Sequence, residues 1–538
     1  MCAATTYRNR LAGVATASLM FIAALPALAA ATPAPLVFEP YAFETEHHGT
    51  IAAEVAFLDV PLRHARPDGP HTRLRVVRLP ALERRAGVAP VVYLAGGPGG
   101  SGVGTARGVR WPVFNEVRRH VDVLLFDQRG TGLSAPPPAC PFNAGFSDAE
   151  PLERNQALTA LRATAARCIA YWQRGGVDLG AYTTAESADD LEALRQALNV
   201  PRISLWGMSY GTHLAMAAAR RHESGIDRLV LMGLEGPDQT LKLPLSADAL
   251  LADLAPLADR AGFNDLAGSA KRVLATVCAT PATGRSLMHR GRQVRIGCMD
   301  AQLAISAALG RRSTQQMLPL MLRNAERGDY DLLASMVISV REELGTFQAM
   351  PLSMEVASAQ SHERRTRFER EARQSVFGGA LGFPFPMLAD DLGLLDLGAA
   401  FRSPLQIERP ALLISGTLDG RTPKANTHEL LPAFRDASPV WVRYASHDDE
   451  LWLGNPAVAT SIAAFLAGDG TRAETTLEVP EPRFAGSMVE VLEQVSGVSR
   501  WLALAGVGTA LAVLGGLALG IRGLRRRISR RAVVAPPS

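Results

Sequence analysis

The sequence lacks the features that mark several common protein classes. None of its 5 cysteines has the CxxC spacing of a zinc or redox site, and we predict neither a metal site nor a cofactor. The body of the chain has no basic patch, so we expect no nucleic-acid partner; the formal net charge of +4 arises near the two ends. At 538 residues and 47% hydrophobic content, the chain can bury a large core and exceeds one compact domain.

Long apolar runs lie near both ends. Residues 1–30 combine a weakly basic start, an apolar stretch and Ala27-Leu28-Ala29, a pattern typical of a secretory signal peptide; an uncleaved anchor is the alternative. Residues 501–521 are uncharged and long enough to span a membrane as one helix, with a buried helix as the alternative. The arginine-rich tail, 522–538, predicts a cytoplasmic C-terminus and a body on the periplasmic or extracellular side.

Four cysteines remain after removal of the predicted signal peptide. An even number of cysteines in an exported chain favours disulfide bonds, and four allow three pairings. We favour the local pairing because each pair then falls within one part of the chain: Cys140 with Cys168, and Cys278 with Cys298.

Ser209 lies at the centre of a G-x-S-x-G pattern, Gly207-Met208-Ser209-Tyr210-Gly211. An apolar strand precedes this pattern and an Ala-rich helix follows it, which is the context of a nucleophile elbow. The turn of such an elbow is so tight that the residues two positions on either side must be small. The pattern therefore predicts that Ser209 is a nucleophile at the carboxyl end of a strand.

A glycine-rich loop, Ala95-Gly96-Gly97-Pro98-Gly99-Gly100-Ser101-Gly102, follows another short apolar strand. Without side chains, its N–H groups can approach a reacting carbonyl. We predict an oxyanion hole formed by the N–H of Tyr210 and an N–H of Gly96 or Gly97. The loop also matches G-x-G-x-x-G, but we expect no helix at Gly102 and do not favour a dinucleotide site.

Asp419 and His447 complete a possible catalytic set. Each follows a predicted strand, and the chain order is nucleophile, acid, base. His447 would take the proton of Ser209, and Asp419 would hold and stabilise the imidazole.

Strands and helices alternate before residue 238 and again after residue 402, which predicts a mostly parallel sheet. Between them, Ala-, Leu- and Arg-rich segments predict an inserted helical cap. We predict the following parts: signal peptide 1–30, core 36–237, cap 238–402, core 403–467, stalk 468–500, transmembrane helix 501–521 and basic tail 522–538.

Together, four motifs resemble the prolyl aminopeptidase and tripeptidyl aminopeptidase family of serine peptidases. They are the glycine loop, Asp127-Gln128-Arg129-Gly130-Thr131-Gly132-Leu133-Ser134, the Ser209 elbow and Asp419-Gly420-Arg421-Thr422-Pro423. The resemblance implies an α/β-hydrolase fold with a helical cap. It also implies a short peptide substrate, whose N-terminal residues are released.

The sequence departs from this family at two places. Ala95 stands where the prolyl branch has His before the glycine run, and the cap segment Ser353–Ser361 lacks the Ser-Val-x-Cys-x-Glu-Asp pattern of many relatives. The carboxylate that would bind a substrate amine is therefore unassigned, and Glu235 and Glu355 are the candidates. An exported carboxylesterase or lipase-like hydrolase with the same triad remains an alternative, as does a non-catalytic binding protein.

Overall fold

The computed structural model describes residues 34–286, 288–469 and 473–491. The predicted signal peptide, transmembrane helix and basic tail lie outside these residues. None of the helices within the described ranges combines the length and the apolar character that a membrane span requires.

The core of the fold is a sheet of ten strands. Its spatial order is β1-β2-β3-β5-β4-β6-β7-β10-β11-β12, and β8 pairs only with β9 in a separate hairpin. The strands are β1 (Glu39–Glu44), β2 (Thr50–Pro61), β3 (His71–Leu79), β4 (Val91–Leu94), β5 (Val123–Phe126), β6 (Ile203–Met208), β7 (Ile226–Met232), β8 (Ala282–Ser286), β9 (Arg292–Ile296), β10 (Ala411–Gly416), β11 (Ala437–Arg443) and β12 (Thr475–Glu478).

The sheet begins antiparallel and becomes parallel. β2 pairs with β1 and β3 in antiparallel registers, and β3 is antiparallel to β5. All pairs from β5 through β4, β6, β7, β10 and β11 to β12 are parallel. β4, β5 and β6 are buried at every position, as expected for strands covered by helices on both faces. This confirms the predicted mostly parallel sheet.

Sixteen α-helices lie in the described residues. They are α1 (Gly102–Arg107), α2 (Trp111–Val117), α3 (Arg154–Arg174), α4 (Thr184–Ala197), α5 (Tyr210–His222), α6 (Leu245–Arg260), α7 (Leu266–Ala279), α8 (Cys298–Ala308), α9 (Arg312–Glu326), α10 (Asp331–Leu344), α11 (Ala349–Ser358), α12 (His362–Ala372), α13 (Gly398–Arg402), α14 (Lys424–Leu430), α15 (Glu450–Leu453) and α16 (Pro456–Leu466).

Helices cover both faces of the sheet. α4 and α5 pack on one face, where Leu191, Leu214 and Met216 are buried against the strands. α2 and α16 pack on the other face, with Phe114 and Ile462 in the second core. Because the parallel strands share one direction, the turns that follow β4, β6, β7, β10 and β11 meet at one edge of the sheet. All residues of the predicted catalytic set follow these strands.

The chain between β7 and β10 forms helices α6 to α13, which we call the cap. The cap has its own hydrophobic core, which includes Leu254, Leu274 and Ile305. One part departs from the all-helical prediction, since β8 and β9 form an antiparallel hairpin. A disulfide between Cys278 and Cys298 closes this hairpin segment at both ends.

A second disulfide joins Cys140, in the loop after β5, to Cys168 on α3. Both bonds of the predicted local pairing are therefore present. Each links residues close in sequence, with separations of 28 and 20 positions.

The segment after residue 468 was predicted to be a stalk, and this prediction is wrong for its described part. Thr475–Glu478 forms β12, the edge strand, in parallel register with β11. Beyond it, Ala485 and Val491 are buried in the core of the cap. Four residues of alternating, half-exposed character gave too weak a strand signal, because an edge strand buries only one face.

Candidate active site

Ser209 occupies a strained turn between β6 and α5. Its φ of +55° and ψ of −125° are unfavourable for a residue with a Cβ atom. The turn is held because the Ser209 N–H donates to Met232 O at 2.9 Å, at the end of the neighbouring strand β7. Its side chain is half-buried, in contrast to the fully buried β6 that precedes it. The turn therefore presents the hydroxyl at the carboxyl edge of the sheet.

Two glycines make this turn possible. A Cβ atom at Gly207 would lie 2.4 Å from Gly211 O, and one at Gly211 would lie 2.0 Å from Leu94 O. Both obstacles are backbone atoms that cannot move aside. The elbow packs so closely on itself and on β4 that only glycine fits at these two positions.

His447 and Asp419 form a buried pair. His447 Nδ1 lies 2.7 Å from Asp419 Oδ2, which also accepts from Thr422 Oγ1 at 2.8 Å. The other carboxylate oxygen accepts from the N–H groups of Arg421 and Thr422, both at 2.8 Å. Burial opposes the charge of Asp419, but the His447 imidazole and the Thr422 hydrogen bonds together lower its pKa. Asp419 can therefore stay ionised and hold the Nδ1–H tautomer of His447.

Ser209 and His447 both lie beside the end of β7. The Ser209 N–H donates to Met232 O. Gly233, which follows Met232, has no side chain and leaves room for the imidazole of His447. A Cβ atom at Gly233, where φ is +59°, would lie 3.1 Å from His447 Cε1 and 2.9 Å from Thr422 Oγ1. Sequence reasoning missed the roles of Gly233 and Thr422. The available signals were a glycine directly after a buried strand and a threonine three residues after Asp419.

The glycine loop passes beside Ser209. A Cβ atom at Gly96 would lie 3.0 Å from Ser209 Cβ and 3.6 Å from its Oγ. Gly97 and Gly99 have φ values of +126° and +107°, which favour glycine. Tyr210 is the first residue of α5, so its N–H has no acceptor within the helix. The loop and the helix start thus flank the serine, as the predicted oxyanion hole requires. A helix does begin at Gly102, where none was expected.

Asp127 and Arg129 brace these loops. Asp127 accepts from Ser101 Oγ at 2.6 Å and from the N–H of Leu133 at 3.1 Å. Arg129 is fully buried and forms a bidentate ion pair with Asp190, at 2.7 and 2.6 Å. Asp127 thus fixes the end of the glycine loop, and Arg129 fixes the turn after β5 against α4.

The cap covers the site through α11. A Cβ atom at Gly99 would lie 3.0 Å from the Pro351 ring. On the neighbouring side of the helix, Met354 Sδ accepts from Tyr210 Oη at 2.9 Å, and Ser358 Oγ lies 3.1 Å from His213 Nε2. Helix α11 therefore spans the glycine loop and the start of α5.

The two predicted amine-binding residues differ in their surroundings. Glu235 follows β7 and forms an ion pair with Lys242, a partner that sequence reasoning did not identify. Glu355 lies one helical turn after Pro351 on α11, and no hydrogen bond or ion pair joins its carboxyl to another described residue. Burial raises the pKa of Glu355 to about 7, with a further contribution from the charge of Glu235. Both carboxyls also act electrostatically on Tyr210, which places them near the elbow.

No group of three or more His, Cys, Asp or Glu side chains in the described ranges is arranged to hold a metal ion.

A family model described as the alpha/beta hydrolase fold matches residues 89–437. The chain belongs to the α/β-hydrolase fold family. This range includes β4 to β10, the cap, Ser209 and Asp419.

Individual relatives confirm the resemblance to peptidases. Serine protease Hip1 of Mycobacterium tuberculosis is 29% identical over 248 residues, which cover 43% of this chain and 44% of that protein. Tripeptidyl aminopeptidase of Streptomyces lividans is 29% identical over 194 residues, covering 35% and 36%. The chain thus matches less than half the length of these relatives. A crystal structure of proline iminopeptidase from Mycobacterium smegmatis has 15% identity and a TM-score of 0.39, covering 77% of this chain and 98% of that one.

Proposed function

We propose that this protein is an exported serine peptidase that cleaves peptide bonds near the free N-terminus of short peptides. The observation that carries the proposal is the buried Asp419–His447 pair, which lies beside the end of β7, where the strained Ser209 turn is also held. The matches to proteins named as a serine protease and a tripeptidyl aminopeptidase support the peptide substrate. The two disulfides support an oxidising compartment outside the cytoplasm.

The proposed reaction proceeds through an acyl-enzyme. Ser209 Oγ attacks the scissile carbonyl carbon while His447 Nε2 takes the hydroxyl proton, and Asp419 stabilises the resulting imidazolium. N–H groups of Tyr210 and the Gly96-Gly97 segment hold the oxyanion. The intermediate collapses as His447 gives its proton to the leaving amine. Water then attacks the ester carbonyl while His447 takes one of its protons. His447 gives that proton to Ser209 Oγ as the carboxylic acid leaves, which restores the free serine.

Glu355 is the better candidate for the substrate's ammonium group. Lys242 already neutralises Glu235. Glu235, Lys242 and Glu355 together therefore carry one net negative charge when Glu355 is ionised. Glu355 is half-buried and has no ion-pair partner in the described structure, so its carboxylate gains more than that of Glu235 from an arriving cation. The position of Glu355 on α11, one turn after Pro351, directs it to the side of the helix that faces the glycine loop.

The central test replaces Ser209 with Ala. We expect Ser209→Ala to lower kcat/KM for peptide amides with a free N-terminus by about 10⁴–10⁶-fold, because attack by the hydroxyl is lost. The measurement is amide hydrolysis by the purified variant, together with labelling by a serine-directed fluorophosphonate. The matched control is Ser224→Ala, an exposed serine beyond the far end of α5, which should behave as wild type.

Two outcomes would contradict the proposal. Hydrolysis by Ser209→Ala at the wild-type rate would remove Ser209 from the mechanism. Efficient cleavage of p-nitrophenyl esters, without cleavage of any free-amine tripeptide or proline amide, would favour a carboxylesterase. The predicted membrane anchor at 501–521 stays a prediction.

A further inference from the structure

The first turn of helix α9, in the cap, contacts the turn that carries His447. Arg312 Nη1 donates to Tyr444 O at 2.6 Å, and the Arg312 N–H donates to Asp448 Oδ2 at 2.9 Å. These acceptors lie three residues before and one residue after His447. One arginine therefore holds the turn on both sides of the imidazole.

The same helical turn contacts the loop that carries Asp419. Gln315, three residues after Arg312, donates through Nε2 to Leu418 O at 2.8 Å and to Leu309 O at 2.7 Å. A Cβ atom at Gly420 would lie 2.2 Å from Leu309 O, so the two backbones are in direct contact. The residues on both sides of Asp419 are thus fixed against the end of α8 and the start of α9.

Both side chains are buried, and neither serves an ion pair in the described structure. Gln315 is fully buried and Arg312 is 8% exposed. The second Arg312 nitrogen, Nη2, donates to Pro480 O at 2.5 Å, just beyond β12. A buried guanidinium that binds backbone carbonyls fixes their positions, because losing one contact leaves a charged group unsatisfied.

We propose that the first turn of α9 is a clamp through which the cap sets the Asp419–His447 geometry. Arg312 and Gln315 are positioning residues that act through the two catalytic turns. The proposal rests on the proposed catalytic function of Ser209, Asp419 and His447. It adds that docking of the cap prepares the acid and base for catalysis as well as covering the substrate.

The clamp predicts a specific kinetic signature. A misplacement of catalytic groups by about 1 Å can lower the rate about 10²-fold. We therefore expect Arg312→Met and Gln315→Met to lower kcat by about 10–100-fold with KM within about twofold of wild type. Fluorophosphonate labelling of Ser209 should slow by the same factor. Arg312→Lys should be intermediate, because an ammonium cannot span the carbonyls that the planar guanidinium reaches.

Arg323→Met is the matched control. Arg323 lies on the same helix and also donates to a carbonyl of the C-terminal segment, Gly486 O at 3.0 Å, but it contacts neither catalytic turn. It should keep the wild-type kcat and labelling rate. The low-field proton resonance of the His447 Nδ1–H reports directly on the hydrogen bond between His447 and Asp419. It is recorded for each full-length variant. It should be lost or shifted in Arg312→Met and retained in Arg323→Met.

The outcomes separate the two proposals. If the wild type is not labelled at Ser209, the proposed function itself fails. If it is labelled, wild-type labelling and an unchanged resonance in Arg312→Met would overturn the clamp, as would an equal loss of kcat in Arg323→Met. Should Arg312→Met fail to fold, Arg312→Lys and Gln315→Met decide by the same readouts.

Discussion

At the scale of single residues, Glu355 and Lys242 set the charge that the free amine of a substrate would meet in the proposed mechanism. Lys242 pairs with Glu235, whereas Glu355 has no such partner and a pKa raised to about 7 by burial and by Glu235. Below about pH 7, Glu235, Lys242 and Glu355 together are neutral, and above it they carry one negative charge. A preference for free amines should therefore depend on pH.

Replacing Glu355 with Gln removes that negative charge. We expect Glu355→Gln to lower kcat/KM for free-amine peptide amides by about 10–100-fold, the value of a hydrogen bond to a charged group, and to leave N-acetylated substrates almost unchanged. In the wild type, the ratio of the two kcat/KM values should rise from pH 6 to about pH 8, as Glu355 ionises. It should then fall as the substrate ammonium, with a pKa of about 8, loses its proton. In Glu355→Gln the rise should be absent.

In the proposed mechanism both substrates use the same triad, so any pH dependence of the triad cancels in the ratio of the two kcat/KM values. Glu343→Gln, an exposed change on α10 of the same cap, is the control and should keep the wild-type profile. An identical profile in Glu355→Gln would show that the substrate amine binds elsewhere.

Sequence alone could predict Ser209, Asp419 and His447 as candidates, because each lies in a local motif directly after an apolar strand. Their mutual arrangement then follows from parallel strands ending at one edge. Lys242 and Arg312 could not be found in this way. Each acts through a partner that only the folded cap brings close, and an isolated basic side chain in a helical segment carries no local signal.

At the scale of elements, the elbow depends on close approach between backbones. Gly211 lies in the first turn of α5, where a Cβ atom would meet Leu94 O at 2.0 Å. We expect Gly211→Ala to destabilise the protein by more than about 3 kcal/mol, since neither β4 nor α5 can yield in a packed core. The measurement is the thermal midpoint and the soluble yield of the purified variant.

Gly108→Ala is the companion change for this prediction. Its new Cβ atom would lie 3.7 Å from Glu46 Oε2, an ordinary contact, so its midpoint should stay within about 2 °C of wild type. If Gly211→Ala had the same thermal midpoint as Gly108→Ala, the close packing of β4 and α5 would be contradicted.

The buried parallel strands and the longer helices could be predicted because their patterns are local and strong. β4 is an unbroken apolar run, and α3 buries Ala157, Leu161, Ala165, Cys168 and Trp172 at helical spacing. The short elements were harder. β8 and β9, Ala-Thr-Gly-Arg-Ser and Arg-Gln-Val-Arg-Ile, contain few large apolar residues. Their pairing is fixed by the packing of the cap and by the Cys278–Cys298 bond.

At the scale of the whole molecule, the two disulfides restrain different parts. Cys140–Cys168 ties the loop after β5 to α3, and Cys278–Cys298 closes the cap hairpin. Closing loops of this size stabilises a fold by about 3 kcal/mol each, mainly by limiting the unfolded chain. Both bonds should therefore contribute to thermal stability by similar amounts.

Replacing either cysteine pair with serines should lower the thermal midpoint. The expected loss is about 3 kcal/mol for each pair, measured by thermal melting without reductant. Reductant should destabilise the wild type by more than either double-serine variant, because each variant has one bond left to lose. A wild type whose melting is insensitive to reductant, under conditions that do reduce both bonds, would contradict this prediction.

The contact between Arg312 and Pro480 also bears on the order in which the molecule is made. The chain carries Ser209 long before it reaches β12 and Pro480, the last described partner of the clamp that holds the His447 turn. In the proposed mechanism, a growing or partly exported chain therefore has a nucleophile without a fully supported base. On that proposal, full activity appears only after the chain has folded through Pro480, so a partly made chain would be a weaker peptidase than the finished one.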